Sequence, residues 1–138
     1  MVQTMELQLD TRGNCDVRDI TPEVAQAVIG SGLSNGIVTV FCPGSTGGLT
    51  TIEYEDGAVA DLARVLDEIV PQDREYRHHL RWGDDNGHSH VRAALMGPSI
   101  TVPFVQGRLT LGTWQQVVFV DFDNRPRSRK IEILLIGE

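Results

Sequence analysis

Apolar and polar residues alternate near the N-terminus and then change to a helical spacing. Residues 5–9, MELQL, place an apolar side chain at every second position, which predicts a β-strand. Thr21, Pro22 and Glu23 predict the start of a helix, because a hydroxyl, a proline and an acid are favoured in that order at a helix N-terminus. The sequence Gly-Ser-Gly at 30–32 predicts the end of the same helix.

Two strands and a second helix are predicted in the next part of the chain. Residues 36–41, GIVTVF, and 49–54, LTTIEY, are rich in β-branched residues and are each expected to form a strand. Residues 58–70 have the strongest helical pattern, with apolar residues three and four positions apart along one stripe. Pro71 ends that helix, and a polar loop is expected over residues 73–87.

From His88 to the C-terminus the pattern predicts only strands. The segments HVRAALM, SITVPF, RLTL, TWQQVVFVDF and IEILLI follow one another, separated by turns that contain glycine or proline. The order strand, helix, two strands, helix, several strands favours an α+β fold over an alternating βαβ fold. We therefore predict a single domain over residues 1–138, with a large mixed, mostly antiparallel β-sheet and two main helices.

The composition limits where the protein works and what it binds. The chain has 138 residues, of which 41% are hydrophobic, and a formal net charge of −7. This charge disfavours nucleic acid as the main ligand, because a phosphate backbone needs a basic surface. No segment has the pattern of a membrane span or of a secretion signal, so we predict a cytoplasmic protein that does not bind a membrane. Its two cysteines, Cys15 and Cys42, are then expected to be reduced.

The histidines indicate a metal site. All four histidines of the chain lie within residues 78–90. If His88 and His90 lie on a strand, they point to the same face and converge on one ion. His78 from the preceding loop would supply a third imidazole, which predicts a divalent metal, zinc in first place, bound by these three residues. The alternative is that the histidines are polar residues of a solvated loop.

The loop between the two predicted central strands has the composition of an anion-binding site. Residues 42–48, CPGSTGG, combine three glycines with the hydroxyls of Ser45 and Thr46. The backbone N–H groups of Gly47 and Gly48 are candidates to bind an anion or a phosphorylated cofactor, and the two hydroxyls are candidates for catalysis. The alternative is a glycine-rich strand connection that needs unusual φ values.

Two charged residues complete the candidate site. Glu53 interrupts the predicted strand 49–54, and a carboxylate near a bound metal orients a ligand or acts as a general base. Strand alternation also allows Glu53 to face solvent. The basic segment 124–130 is expected to form a solvated turn or, as the alternative, to hold an anion with Arg125, Arg127, Arg129 and Lys130. Of these residues, Arg127 is the candidate partner for pyrophosphate.

Three longer segments resemble a known family. PGSTGGLTTIEYEDG, DDNGHSHVRAALMGPSITVPF and GRLTLGTWQQVVFVDFDNRPRSRKIEILLIGE are similar to segments of the YjbQ-like family of small proteins. The resemblance implies an α+β fold with a large mixed sheet, a homotrimer, and a pocket of histidines and acids near the subunit contacts. The residues of this chain that match the family's site are His78, His90, Glu53, Ser45 and Thr46.

One position departs from the family pattern. Many members have a histidine where this chain has Gly44. If that histidine binds a metal in those members, this chain needs a substitute ligand. His88 is the first candidate for that role, and Cys42 is the second.

Two functions from different classes follow from these observations. Many members of the family are labelled secondary thiamine-phosphate synthase, which implies an enzyme that joins a pyrimidine diphosphate to a thiazole phosphate. The residues themselves favour hydrolysis or group transfer at a histidine-bound metal ion, with Glu53 as base. The alternative is a non-catalytic trimer that binds a metal ion or a small anionic or phosphorylated metabolite.

Overall fold

The chain folds into two antiparallel sheets and four helices. A computed structural model describes all residues from Met1 to Glu138. The elements, in chain order, are β1 (Val2–Thr11), β2 (Asp16–Asp19), α1 (Thr21–Ser31), β3 (Gly36–Phe41), β4 (Gly47–Ile52), α2 (Asp56–Ile69), α3 (Arg77–Trp82), α4 (Gly87–Met96), β5 (Ser99–Val105), β6 (Arg108–Leu109), β7 (Gln116–Asp121) and β8 (Arg127–Gly137). None of the four helices combines the length and the apolar character that crossing a bilayer requires.

The strands are divided between a larger and a smaller sheet. Five strands form the larger sheet in the order β1-β8-β3-β5-β6, and three form the smaller sheet in the order β2-β7-β4. Every neighbouring pair is antiparallel. Residues of β8 alternate as strand geometry requires, with Ile131, Ile133 and Leu135 buried and Glu132 exposed. The predicted α+β fold is confirmed; its strands are divided between two sheets, and all of their pairings are antiparallel.

Strand β7 is buried on both faces and separates two hydrophobic cores. Val117 and Phe119 belong to the larger core, which brings together residues of both sheets and of α1. Val118 and Val120 belong to the smaller core, to which α2 and α4 contribute residues such as Leu66. An uninterrupted apolar run is typical of a strand that is covered on both sides. Helices α2 and α4 therefore cover the face of the smaller sheet that points away from the larger core.

Residues 87–96 form helix α4, so the prediction of a strand beginning at His88 was wrong. Ser89 and Ala93 are buried four residues apart, and Met96 packs on the same smaller core three residues later. This spacing is helical, and alanine, leucine, methionine and arginine all have high helix propensity. The helix was missed because its buried face is made of small and polar residues instead of an apolar stripe.

Other boundaries also differ from the prediction. The loop expected over residues 73–87 contains the short helix α3, and β2 was not predicted. Strand β4 begins and ends two residues before the predicted range of 49–54, so Glu53 follows the strand. Thr21 does not cap α1, because its hydroxyl accepts a hydrogen bond from the backbone N–H of Val117 at 2.8 Å.

Candidate functional site

A cleft of about 240 Å³ lies between the glycine-rich loop and helix α4. It is lined by Gly44, Ser45, Gly47, His90, Ala93, Ala94 and Pro98. The loop reaches α4 because β4, which follows it, packs directly on that helix. A Cβ atom on Gly48 would lie 2.9 Å from the side chain of Met96, so glycine at this position permits the close approach of strand and helix.

Helices α3 and α4 bring two histidines together beside the cleft. The ring centroids of His78 and His90 are 4.3 Å apart, and the ring planes are inclined by 38°. Nδ1 of His78 is buried and lies 3.3 Å from Oδ1 of Asp84, although these two atoms are not aligned for a hydrogen bond. Of the two histidines, His90 lines the cleft. His78 is therefore placed to act on a ligand through His90.

The environment of His90 favours a neutral imidazole. Burial lowers the pKa of His90, and the neighbouring ring of His78 lowers this pKa further. The carboxylates of Asp84 and Asp123 raise the pKa without cancelling the decrease. A neutral imidazole is the form that accepts a proton from a substrate. The cleft thus contains a side chain that can serve as a general base.

His88 lies on a different side of α4 from His90. Residues two positions apart on a helix are rotated by about 200°, whereas on a strand they share a face. His88 is 2% exposed, and its Nε2 lies 3.4 Å from the hydroxyl oxygen of Ser89. The strand from which the convergence of His88 and His90 on one ion was expected is not formed, and on the helix the two rings lie on different sides. The structure contains no group of three or more His, Cys, Asp or Glu side chains arranged to hold a metal ion.

Two buried aspartates and two arginines form a network behind the loop. Asp121, the last residue of β7, accepts hydrogen bonds from Nε and Nη2 of Arg129 at 2.7 and 2.8 Å. Asp123 forms an ion pair with Arg127 at 3.0 Å. The hydroxyl of Thr46 donates to Asp123 at 3.0 Å and accepts from Nη2 of Arg129 at 2.7 Å. Both buried carboxylates are thereby paired with a guanidinium group, as burial of their charge requires.

The network keeps Asp123 ionised and fixes the start of α4. Burial alone would raise the pKa of Asp123, but hydrogen bonds, first of all the one from Arg127, outweigh it and leave the pKa below its ordinary value. Asn86, which precedes α4, donates to Asp123 at 3.3 Å and accepts from the backbone N–H of Asn124 at 3.1 Å. These contacts set the position of α4, and therefore of His90, relative to the loop.

The loop itself has backbone donors that are not used within the protein. The N–H groups of Gly44, Ser45 and Thr46 donate to no protein acceptor. Gly44 has a φ of 149°, in the region of φ that favours glycine, and the Ser45 side chain is exposed at the cleft. Consecutive unpaired N–H groups together with a hydroxyl are an arrangement that binds anions.

The structure brings some of the predicted site residues together at the cleft. Ser45, Gly47 and His90 line it, and His78 supports His90 from α3. The glycine-rich loop and two of the histidines therefore lie in one region of the fold. What joins them is the packing of helix α4 against β4.

Other predicted site residues have different positions. The hydroxyl of Thr46 and the guanidinium group of Arg127 are already paired in the buried network. Gly48 packs against α4, and His88 is in the protein interior. Glu53 is exposed beyond the end of β4 and is not part of the cleft lining.

Asp121 and Asp123 were not predicted as site residues, and Arg129 was considered only as one of the basic residues of segment 124–130. A signal for Arg129 was present, because the alternation that buries Ile131 on β8 places Arg129 two residues earlier on the same inward face. The basic segment was interpreted as a solvated turn because its charges were counted without following the strand period. The sequence contained no comparable signal for the pairing of the two aspartates.

Comparisons with known proteins cover almost the whole chain. The family model described as "UPF0047 protein YjbQ-like" matches residues 5–138. A UPF0047 protein from Methanothermobacter thermautotrophicus is 39% identical over 137 residues, covering 99% of this chain and 94% of the relative. The UPF0047 protein YugU from Bacillus subtilis is 35% identical over 132 residues, covering 95% of this chain and 97% of the relative.

Solved structures agree with this relationship. A YbjQ-like protein of unknown function from Sulfolobus solfataricus superimposes with a TM-score of 0.94 at 32% identity, covering 100% of this chain and 99% of the other. An uncharacterized conserved protein of the YjbQ/UPF0047 family from Clostridium acetobutylicum superimposes with a TM-score of 0.88 at 37% identity, covering 96% and 99%. The fold, the family model and the relatives agree, and this chain belongs to the YjbQ/UPF0047 family.

Proposed function

We propose that the protein binds a small phosphorylated or otherwise anionic metabolite in the cleft between Ser45 and His90. The observation that supports this most directly is the run of three consecutive backbone N–H groups, at residues 44–46, with no acceptor in the protein. Backbone donors of this kind need an acceptor from water or from a ligand. The volume of about 240 Å³ favours a small metabolite, or the phosphate end of a longer one.

Catalysis is the second candidate function, and the histidine pair favours it. His90 is kept neutral by burial and by His78, whose ring lies 4.3 Å away, so it is suited to accept a proton. The family resemblance suggests the condensation of a pyrimidine diphosphate with a thiazole phosphate. In that reaction the thiazole nitrogen bonds to the pyrimidine methylene carbon as the bond from that carbon to pyrophosphate breaks, so no proton leaves the nucleophile. The departing pyrophosphate would contact the loop at Ser45, and His90 would lie beside the reacting groups as a hydrogen-bonding group.

A metal ion is not part of either proposal. His78 and His90 supply two imidazoles at one place, but His88 is on another side of α4 and no third donor joins them. The zinc site expected from the sequence stays a prediction. Metal analysis of purified protein tests it, and protein treated with a chelator is expected to bind anions as well as untreated protein does.

We also propose that the chain forms a homotrimer, as the family resemblance implies. Several apolar side chains on the outer face of the larger sheet are exposed in the single chain; these are Ile37, Phe41, Val105 and Ile136. Exposed apolar residues on adjoining strands are suited to a contact between copies. Light scattering coupled to size exclusion is expected to give three times the chain mass of 15.2 kDa. A mass of one chain at micromolar concentration would contradict this proposal.

The binding proposal is tested with inorganic phosphate and pyrophosphate as ligands. Calorimetric titration of the wild-type protein is expected to show saturable binding of pyrophosphate. Ser45→Ala and His90→Ala are each expected to weaken this binding about tenfold, because each removes one hydrogen-bonding group from the cleft. His79→Ala is the matched control, since His79 is exposed and contacts Asp85 outside the cleft. Wild-type protein that binds neither anion would contradict the proposal.

The catalytic candidate needs a separate measurement of turnover. The two thiamine precursors are supplied to wild-type protein and to His90→Gln, and released pyrophosphate is measured over time. Loss of turnover in His90→Gln with pyrophosphate still bound would support a role of His90 at the reacting groups. Wild-type protein that binds pyrophosphate without turning over the precursors would leave binding as the function and remove this reaction.

A further inference from the structure

We infer that Arg129, and not Arg127, is the charged group that pairs with the ligand, and that the ligand carries a phosphate group in preference to a carboxylate. This inference rests on the anion-binding function proposed above. It selects Arg129, which does not line the cleft, from the basic residues of segment 124–130. It also names the chemical class that the site selects.

Arg129 presents one free end of its guanidinium group. Nε and Nη2 donate to the two carboxylate oxygens of Asp121, and Nη2 also donates to the hydroxyl of Thr46. Nη1 donates to no protein atom. It is also not among the buried polar atoms that lack a partner, so solvent reaches it. The side chain as a whole is only 11% exposed, which leaves Nη1 as its accessible donor.

Gly44 is the residue that keeps this donor uncovered. A Cβ atom on Gly44 would lie 3.3 Å from Nη1 of Arg129, so any side chain here would crowd the guanidinium group. Gly44 also lines the cleft and supplies the first of the three unpaired N–H groups. A charged donor and the backbone donors of the loop therefore adjoin one another at the same glycine.

The number of donors indicates the class of anion. Nη1 of Arg129, the three N–H groups of residues 44–46 and the hydroxyl of Ser45 make five hydrogen-bonding groups around one loop. A carboxylate offers two oxygens, whereas a phosphate monoester or a terminal diphosphate group offers three strongly accepting oxygens. Phosphate therefore satisfies this set of donors more completely.

The fixed position of Arg129 adds to its suitability. Its two hydrogen bonds with Asp121 are side by side, a geometry that holds the planar guanidinium group in one orientation. A ligand that pairs with Nη1 does not have to immobilise a flexible side chain, so little conformational entropy is lost on binding. Arg127 differs in position: its Nη2 pairs with Asp123 at 3.0 Å, and none of its atoms lies within 4 Å of a Cβ atom built on Gly44.

The test compares Arg129→Lys with Arg127→Lys in the full-length protein. Both substitutions keep a positive charge beside a buried aspartate, but only Arg129→Lys removes the Nη1 donor that lies beside Gly44. Calorimetric titration with pyrophosphate is expected to show at least a tenfold loss of affinity for Arg129→Lys and less than a threefold change for Arg127→Lys, with acetate binding weakly throughout. Equal losses in the two variants, or wild-type affinity in Arg129→Lys, would overturn the inference.

A second measurement covers the case in which Arg129→Lys does not fold. The arginine side-chain resonances of ¹⁵N-labelled wild-type protein are followed by NMR. The resonance that disappears in Arg127→Lys is assigned to Arg127. The resonance of Arg129 is expected to move and saturate with pyrophosphate, and an unchanged resonance at saturation would overturn the inference. If Ser45→Ala and His90→Ala weaken pyrophosphate binding and Arg129→Lys does not, the proposed function stands and this inference fails. If the wild-type protein binds no phosphate compound, both fail.

Discussion

Helix α4 has two faces that use histidine in opposite ways. His88 is 2% exposed and packs in the interior near Tyr76, with ring centroids 6.4 Å apart. His90 lines the cleft, and the ring of His78 lies beside it at an inclination of 38°. Burial lowers the pKa of both histidines, so the pKa direction alone does not separate them. The two histidines differ in their access to the cleft. This difference indicates a structural role for His88 and a ligand-binding role for His90.

The rest of α4 follows the same division. On the interior face, Arg92 donates from Nε to the backbone carbonyl of Val70 at 3.0 Å and from Nη2 to Asp67 at 2.8 Å, which ties α4 to the C-terminal end of α2. Cations and donors at that end of a helix are favourable because its last carbonyls lack partners. On the cleft face, Ala93 and Ala94 leave space. One face is filled to hold the helix, and the other is left open.

Arg92→Ala is expected to have the largest effect on stability, and it should disrupt only the contacts made by the interior face of α4. Arg92 is 5% exposed, and the substitution removes its packing and leaves the Val70 carbonyl without its donor. We expect the free energy of unfolding to fall by about 3 kcal/mol in urea denaturation. Arg64→Ala is the control, because Arg64 makes only exposed ion pairs, and about 0.5 kcal/mol or less is expected.

A small effect of Arg92→Ala on stability would contradict the structural role assigned to the interior face of α4. If Arg92→Ala were as stable as Arg64→Ala, the interior face would not hold the helix in the way described. If folded Arg92→Ala lost pyrophosphate affinity while its stability was unchanged, Arg92 would belong with the ligand-binding residues.

His88→Ala and His90→Ala test the comparison directly. Removing the buried ring of His88 leaves a cavity, and we expect the free energy of unfolding to fall by about 2 kcal/mol with pyrophosphate affinity unchanged. His90→Ala removes a ring that is only partly buried, and a loss of about 1 kcal/mol or less is expected together with the weaker binding. Denaturation and calorimetry on the same preparations give both quantities. Equal stability losses in the two variants would show that the two faces are not distinct.

The sequence predicted the fold class and several elements because these rest on periodicity. Residues 36–41 were predicted as a strand and match β3, and Pro71 follows α2 as expected. Helix α4 was missed for a physical reason. Its buried face carries His88 and Arg92, whose polar groups are satisfied by partners distant in the chain, and these partners leave no pattern in the local sequence.

The candidate site was predictable only in part. The glycine-rich loop and the histidines stand out in composition, and the structure places Ser45 and Gly47 beside His90. The choice of His90 over His88 depends on helical geometry and could not follow from an assumed strand. Arg129 was predictable from the alternation of β8, whereas its pairing with Asp121 needed the tertiary structure.

Acidification should weaken folding through both faces of α4. The folded chain holds the pKa of His88 and of His90 below the ordinary value of about 6.5, so the unfolded chain binds protons more readily as the pH falls. Stability from these groups is complete above about pH 6.5 and is lost as the pH drops toward the folded pKa values. The slope is at most about 1.4 kcal/mol per pH unit for each histidine.

Urea denaturation at about pH 7.5 and at about pH 5.5 measures this dependence. His88→Gln and His90→Gln are each expected to remove part of the slope. A slope that both variants retain in full would assign the pH dependence to other groups.

Glu53→Gln should have the smallest effect of all. Glu53 is exposed, follows the end of β4, and its side chain makes no hydrogen bond or ion pair in the chain. We expect a change of about 0.5 kcal/mol or less in the free energy of unfolding and no change in pyrophosphate affinity, with Ser45→Ala as the variant that does lose binding. A selective loss of binding or turnover in folded Glu53→Gln would contradict the assignment of ligand binding to the cleft of a single chain. Because Glu53 does not line the cleft of its own chain, such a loss would mean that it acts on the cleft of a neighbouring copy, and the unit of function would then be the oligomer.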